Sequence, residues 1–80
     1  MPRVKLKPGE RVEMRCFHRR GNEIVQDWLP GVVVSADERM LAVRFETDVF
    51  SNNGWLVPDR TLWCTHGSPN LRRVTDERVS

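Results

Sequence analysis

The chain has 80 residues, of which 39% are hydrophobic and 30% are charged, and its formal net charge is +2. This length suits one small domain, the apolar content excludes a disordered chain, and no apolar run is long enough to span a membrane. The N-terminus leads into charged residues instead of an apolar signal core, so we expect a cytoplasmic protein. We predict a basic arm at 1–9, one domain at 10–74 and a flexible tail at 75–80.

The first patterned segment predicts a β-strand, because apolar and charged residues alternate in it. Val12, Met14 and Cys16 form its apolar face. Residues 19–27 show no period and contain Gly21-Asn22, so we predict a long first loop there.

Three further runs predict strands, with turn residues between them. Trp28 opens the second strand, which continues through the β-branched residues 32–34 after Gly31, and residues 41–45 alternate as a third strand.

The rest of the chain predicts one hairpin turn and two more strands. Asn53-Gly54 is the strongest short turn signal, and residues 60–65 and 71–74 are patterned as strands four and five. Five short strands without any helical period predict a small all-β barrel.

The order of the sequence signals resembles the Tudor and Agenet group of SH3-like barrels. The segments that carry the resemblance are Pro8-Gly9-Glu10-Arg11-Val12, Trp28 with Gly31 and Val33, Val43-x-Phe45, and Leu71-Arg72-Arg73-Val74. It covers residues 8–74 and implies a five-stranded SH3-like (Tudor-like) barrel. Members of the group typically bind methylated lysine or arginine in an aromatic cage, through cation–π attraction.

Two positions depart from the cage of that group. The aromatic expected at the end of the first strand falls on Cys16, and the one after Trp28 falls on Leu29. The resemblance therefore predicts the fold more than methyl reading. An alternative cage would consist of Phe17, Trp28, Phe45 and Phe50, although aromatics in so small a domain more often pack the core.

We expect a non-enzymatic binding or adaptor module that recognises a peptide or an anionic partner through an aromatic and basic loop face. The predicted ligand contacts are Trp28, Phe45, Asp48, Phe50 and Trp55. An enzyme is disfavoured because neither histidine lies in a nucleophile motif and a small barrel shields little volume from water.

Two alternative functions follow from the basic residues and the tryptophans. A nucleic-acid-binding SH3-like domain would use Arg15, Arg19, Arg20, Arg72 and Arg73, with Trp55 or Trp63 for stacking. Interspersed acidic residues favour a plain solvated surface instead. Trp63, on the side opposite Leu62, indicates a self-association or protein-interaction surface, and the oligomeric state stays open.

Cys16-Phe17-His18 and Cys64-Thr65-His66 contain the only cysteines and histidines, with the same spacing. Residues two apart on a strand share a face, so the two pairs together would supply a Cys₂His₂ set for a structural zinc ion. Zinc is the one cofactor that the sequence suggests. The apolar positions of both cysteines favour core packing instead, and oxidising conditions would allow a Cys16–Cys64 disulfide.

Overall fold

The computed structural model describes residues 6–74 and is all-β, as the sequence predicts. The strands are β1 (Arg11–Arg20), β2 (Glu23–Ala36), β3 (Met40–Phe45), β4 (Val49–Phe50), β5 (Thr61–Thr65) and β6 (Leu71–Arg73). A 3-10 turn, Pro58–Arg60, precedes β5. The predicted tail and the first five residues of the predicted arm lie outside the described part of the chain.

The strands form one six-stranded antiparallel sheet in the order β4-β1-β2-β3-β5, and β6 also pairs with β1. Within residues 6–74 no strand pairing joins β5 to β4 or to β6, so the ladder is not closed. The structure therefore establishes an antiparallel sheet, which is a coarser description than the five-stranded barrel predicted from the sequence.

The predicted loop at 19–27 is wrong, because these residues continue β1 and β2 as a long hairpin. Arg20 pairs with Glu23, which leaves only Gly21 and Asn22 in the turn. Gly21 has a φ of 62°, the positive angle that a type II′ hairpin turn needs at its first central position. The end of this hairpin projects beyond the core with both faces exposed, so burial imposes no apolar alternation on its sequence.

The core lies on one face of the sheet. Its buried members are Leu6, Val12, Met14, Cys16, Val33, Leu41, Val43, Phe45, Val49 and Val57. Gly31 pairs with Val12 on one side and with Phe45 on the other, so the residue without a side chain lies where three strands meet. A register shift between Val33 and Ser35 then bends β2.

The turn predicted at Asn53-Gly54 is confirmed. Gly54 has a φ of 85°, and the Ser51 amide donates a 2.8 Å hydrogen bond to the Trp55 carbonyl across the turn. Phe50 and Leu56 form an antiparallel bridge below it. The turn therefore folds the chain back beside β4.

Candidate functional site

The solvent face of the β1–β2 hairpin combines arginines with apolar side chains. On β1 the outward residues are Arg11, Glu13, Arg15, Phe17 and Arg19, and their β2 partners are Val32, Pro30, Trp28, Gln26 and Ile24. Directly opposite residues of an antiparallel pair point to the same side of a sheet. The row on β1 is thus mostly charged, and the row on β2 carries no charge.

Neighbouring strands add three side chains to this surface. Arg72 of β6 lies opposite Glu13, and Phe50 of β4 lies opposite Phe17. Arg44 of β3 lies opposite Val32, which itself faces Arg11. We define the arginine–aromatic face by its eight members, which are Arg11, Arg15, Phe17, Trp28, Arg19, Arg44, Phe50 and Arg72.

Two aromatic rings of this face are covered by guanidinium groups. The Arg72 guanidinium carbon lies 4.1 Å from the centroid of the Trp28 ring, and that of Arg19 lies 5.7 Å from the Phe50 ring. Both distances are within the range of cation–π attraction. The Arg72 Nε also donates a 2.7 Å hydrogen bond to Glu13 Oε1, so this guanidinium is fixed from two directions.

The arginine–aromatic face carries positive charge that residues 6–74 do not neutralise. In that part of the chain, Arg11, Arg15, Arg19 and Arg44 have no carboxylate oxygen within 4.0 Å. Three of the other arginines are paired: Arg20 contacts Asp27 at 3.4 Å, Arg60 contacts Asp48 at 3.0 Å, and Arg73 contacts Glu10 at 3.2 Å. Among residues 6–74, four of the five arginines without a carboxylate partner therefore lie on this surface, and the fifth is Arg39 on the β2–β3 turn.

A groove of about 380 Å³ continues this surface at its Arg11 end. Pro30 and Val32 contribute apolar surface, and the charged side chains that line the groove are Arg11, Glu13, Arg44 and Glu46. Because Pro30 and Val32 share the outward side of β2 with Trp28, the groove and the aromatic part of the face are contiguous.

The structure separates the five predicted ligand contacts. Trp28 and Phe50 lie on the arginine–aromatic face, and Trp55 is 72% exposed on the turn after β4. Phe45 is 3% exposed and belongs to the core, so a surface ligand does not reach its ring. Asp48 is held by the Arg60 Nε at 3.0 Å, which makes it part of a local ion pair.

The five arginines predicted for nucleic acid also divide into two groups. Arg15, Arg19 and Arg72 share the arginine–aromatic face, whereas Arg20 and Arg73 occupy positions of opposite parity on their strands and form ion pairs. Sequence reasoning missed Arg11 and Arg44. The alternation of β1 already placed Arg11 with Arg15, but the position of Arg44 depends on the β2–β3 register.

The two cysteines are packing residues in this fold. Cys16 is buried, and burial raises the pKa of its thiol to about 11. Burial also raises the pKa of the half-buried Cys64 thiol, which packs against the same core. Both thiols are therefore protonated at neutral pH, and the structure contains them as free cysteines without a disulfide.

The two histidines make separate hydrogen bonds. His18 Nε2 lies 3.3 Å from Asp27 Oδ2 at the hairpin. His66 Nδ1 accepts from the Leu6 amide at 3.3 Å, and its Nε2 donates to the Asp37 carbonyl at 2.7 Å, so both ring nitrogens are used. Residues 6–74 contain no group of three or more His, Cys, Asp or Glu side chains placed to hold a metal ion. The structure thus does not gather the predicted zinc ligands.

Comparison of the chain with family models, curated proteins and solved structures gives no match. In the described part of the chain no helix is long and apolar enough to cross a membrane. Function is therefore inferred from the geometry and charge of the arginine–aromatic face.

Proposed function

We propose that this chain is a non-enzymatic binding module that holds an anionic partner on the arginine–aromatic face. The observation that carries the proposal is the set of four arginines, Arg11, Arg15, Arg19 and Arg44, without a carboxylate partner among residues 6–74. A single antiparallel sheet around one buried core supports an SH3-like architecture, Tudor-like or Agenet-like, for this module.

Grouped like charges repel one another, and an anion that binds among them relieves this repulsion. A cluster of one sign also attracts an oppositely charged partner over several ångströms and raises its rate of association. The guanidinium group suits carboxylate and phosphate in particular, because its planar donors match their oxygen pairs. An acidic peptide segment and a nucleic-acid strand both offer such groups.

The same charge argues against methylated lysine or arginine as the ligand. A methylammonium cage needs open ring faces and a surface without excess positive charge. Here the Trp28 and Phe50 rings already carry the guanidinium groups of Arg72 and Arg19. Arg15, directly opposite Trp28, would further repel a cation.

Three of the four cysteine and histidine side chains support a non-enzymatic role. The Cys16 and Cys64 thiols have raised pKa values and are mostly unreactive protonated species at neutral pH. Both ring nitrogens of His66 are occupied by backbone partners.

Heparin affinity chromatography tests the proposal, because heparin is a polyanion without nucleobases. We expect the protein to bind at about 50 mM salt and the Arg15→Gln variant to elute at lower salt. Arg39→Gln is the matched control, since Arg39 is an exposed arginine on the β2–β3 turn that also lacks a carboxylate partner within residues 6–74. Equal elution of the two variants would contradict the assignment of the face.

A further inference from the structure

We infer that the anionic partner is a single-stranded nucleic acid whose bases stack on the ring–guanidinium pairs of the arginine–aromatic face. The inference rests on the proposed function and specifies its ligand. It depends on the two cation–π pairs, Trp28 with Arg72 and Phe50 with Arg19, together with the row of arginines on β1.

The Trp28–Arg72 pair is a preformed stacking platform. The indole supports the Arg72 guanidinium from below at 4.1 Å, and Glu13 holds its Nε at 2.7 Å. The Arg72 side chain is 54% exposed, so it is accessible to a ligand. Guanidinium planes and aromatic rings are the two surfaces on which proteins stack unpaired bases. A base placed there completes a three-layer stack.

The Phe50–Arg19 pair offers a second platform. It lies closer to the turn of the β1–β2 hairpin than the row formed by Arg15 and Trp28. The Arg19 guanidinium carbon is 5.7 Å from the Phe50 ring, and Phe17 lies directly opposite Phe50 on β1. Arg15 lies directly opposite Trp28 on the same side of β1 and supplies a cation beside the first platform. Proteins that bind single strands combine surfaces on which bases stack with cations that contact the phosphates, and this face supplies both.

The spacing of the arginines suits a short strand. Arg11, Arg15 and Arg19 recur every four residues on the outward side of β1. At about 3.4 Å per residue, the eight steps from Arg11 to Arg19 span about 27 Å. A face of this length accommodates about four nucleotides, the lower limit for small β-domains that bind single strands.

Other anionic chains would leave part of this face unused. An acidic peptide without aromatic residues supplies carboxylates for the arginines but no ring for the two platforms. The bases of a duplex are already stacked on one another and present only their edges in the grooves. The ring–guanidinium pairs therefore favour unpaired bases over both.

Fluorescence anisotropy with a labelled oligothymidylate of about twelve nucleotides tests the inference. The informative variant is Arg72→Lys, which keeps the charge and removes the guanidinium plane. Arg73→Lys is its matched control, because Arg73 is the next residue, faces the other side of β6 and pairs with Glu10. We expect Arg72→Lys to weaken oligothymidylate binding at least about fivefold, and Arg73→Lys to leave it unchanged.

A second set of variants keeps the test informative if a change at Arg72 disturbs Glu13. Trp28→Phe retains an aromatic platform and should bind nearly as the parent does, whereas Trp28→Leu should lose binding at least about fivefold. Heparin retention of all these variants should stay at the parent value, since none changes the net charge.

Four outcomes decide between the hypotheses. Selective loss in Arg72→Lys and Trp28→Leu supports the inference. Equal binding of oligothymidylate and of a duplex or polyglutamate overturns it and leaves the proposed function standing, as does oligothymidylate binding that none of the variants changes. Failure to bind heparin, oligothymidylate and polyglutamate overturns both.

Discussion

Replacing Gly31 by alanine tests how closely β2 packs against β3. A Cβ atom at this residue would lie 2.6 Å from Val43 Cγ1, 3.0 Å from the Arg44 carbonyl oxygen and 3.1 Å from Phe45 Cδ1. Non-bonded carbon atoms prefer separations of about 3.5–4.0 Å. Val43 and Phe45 are buried, so neither side chain moves aside without disturbing the core. We expect a loss of about 1–3 kcal/mol in the free energy of unfolding.

Urea denaturation followed by tryptophan fluorescence measures this loss. For a denaturant slope of about 1 kcal/mol per molar urea, the midpoint should fall by about 1–3 M. Gly67→Ala is the matched control, because a Cβ atom there would meet no atom within 4 Å beyond its chain neighbours and its φ is not in the left-handed region. That variant should change stability by less than about 0.5 kcal/mol.

The second-site variant Val43→Ala separates steric overlap from a general effect of alanine at residue 31. It removes the nearest atom, so Gly31→Ala should destabilise the Val43→Ala background less than it destabilises the parent. Gly31→Ala and Gly67→Ala with the same midpoint would refute the close approach of the two strands.

Three further outcomes follow from the titratable groups. The native Cys16 thiol, with its pKa raised to about 11, should react with dithionitrobenzoate at pH 8 far more slowly than the unfolded chain, and rapid reaction would contradict its burial. Hydrogen bonds from the Met40 and Arg39 amides lower the pKa of the Asp37 carboxyl below the usual value for aspartate. The pKa of Asp37 is lower in the folded protein than in the unfolded chain. The stabilisation from these hydrogen bonds is therefore complete above the pKa of the unfolded chain and is lost as the pH falls through the pKa of the folded protein. The difference in unfolding free energy between parent and Asp37→Ala should therefore shrink below about pH 4, and a constant difference would argue against these bonds. Metal analysis of protein prepared without chelator should find well under one zinc per chain, because His66 uses both nitrogens; one zinc per chain, lost in Cys16→Ser, would restore the zinc hypothesis.

The core could be predicted from the sequence where one face of a strand is buried. The alternation of Val12, Met14 and Cys16 predicted their inward side, and all three are buried. The same reasoning failed at residues 19–27, because a hairpin that extends beyond the core has no buried face to impose a period. Phe45 was predicted as a ligand contact, and this prediction is wrong because its ring is buried in the core on the same side of β3 as Leu41 and Val43.

The candidate site was less predictable, because its charge balance depends on contacts between distant residues. Arg15 and Arg20 look equivalent in the sequence, yet Asp27 across the hairpin neutralises only Arg20. Arg72 meets Glu13 from 59 residues away, through the β1–β6 pairing. Strand register thus decides which arginines remain unpaired, and a local sequence pattern does not predict this register.

Preorganisation explains why we assign stacking to Trp28 in preference to Trp55 and Trp63, although both of these rings are more exposed. Trp55 is 72% exposed and Trp63 is 57% exposed, and no guanidinium covers either ring among the described residues. A free side chain loses rotamer entropy when a ligand orders it, and that loss weakens binding. Trp28 is already ordered beneath Arg72 in the folded protein, so this ring loses little further rotamer entropy when a ligand binds. A half-buried ring with a fixed guanidinium above it is therefore the better platform for a base.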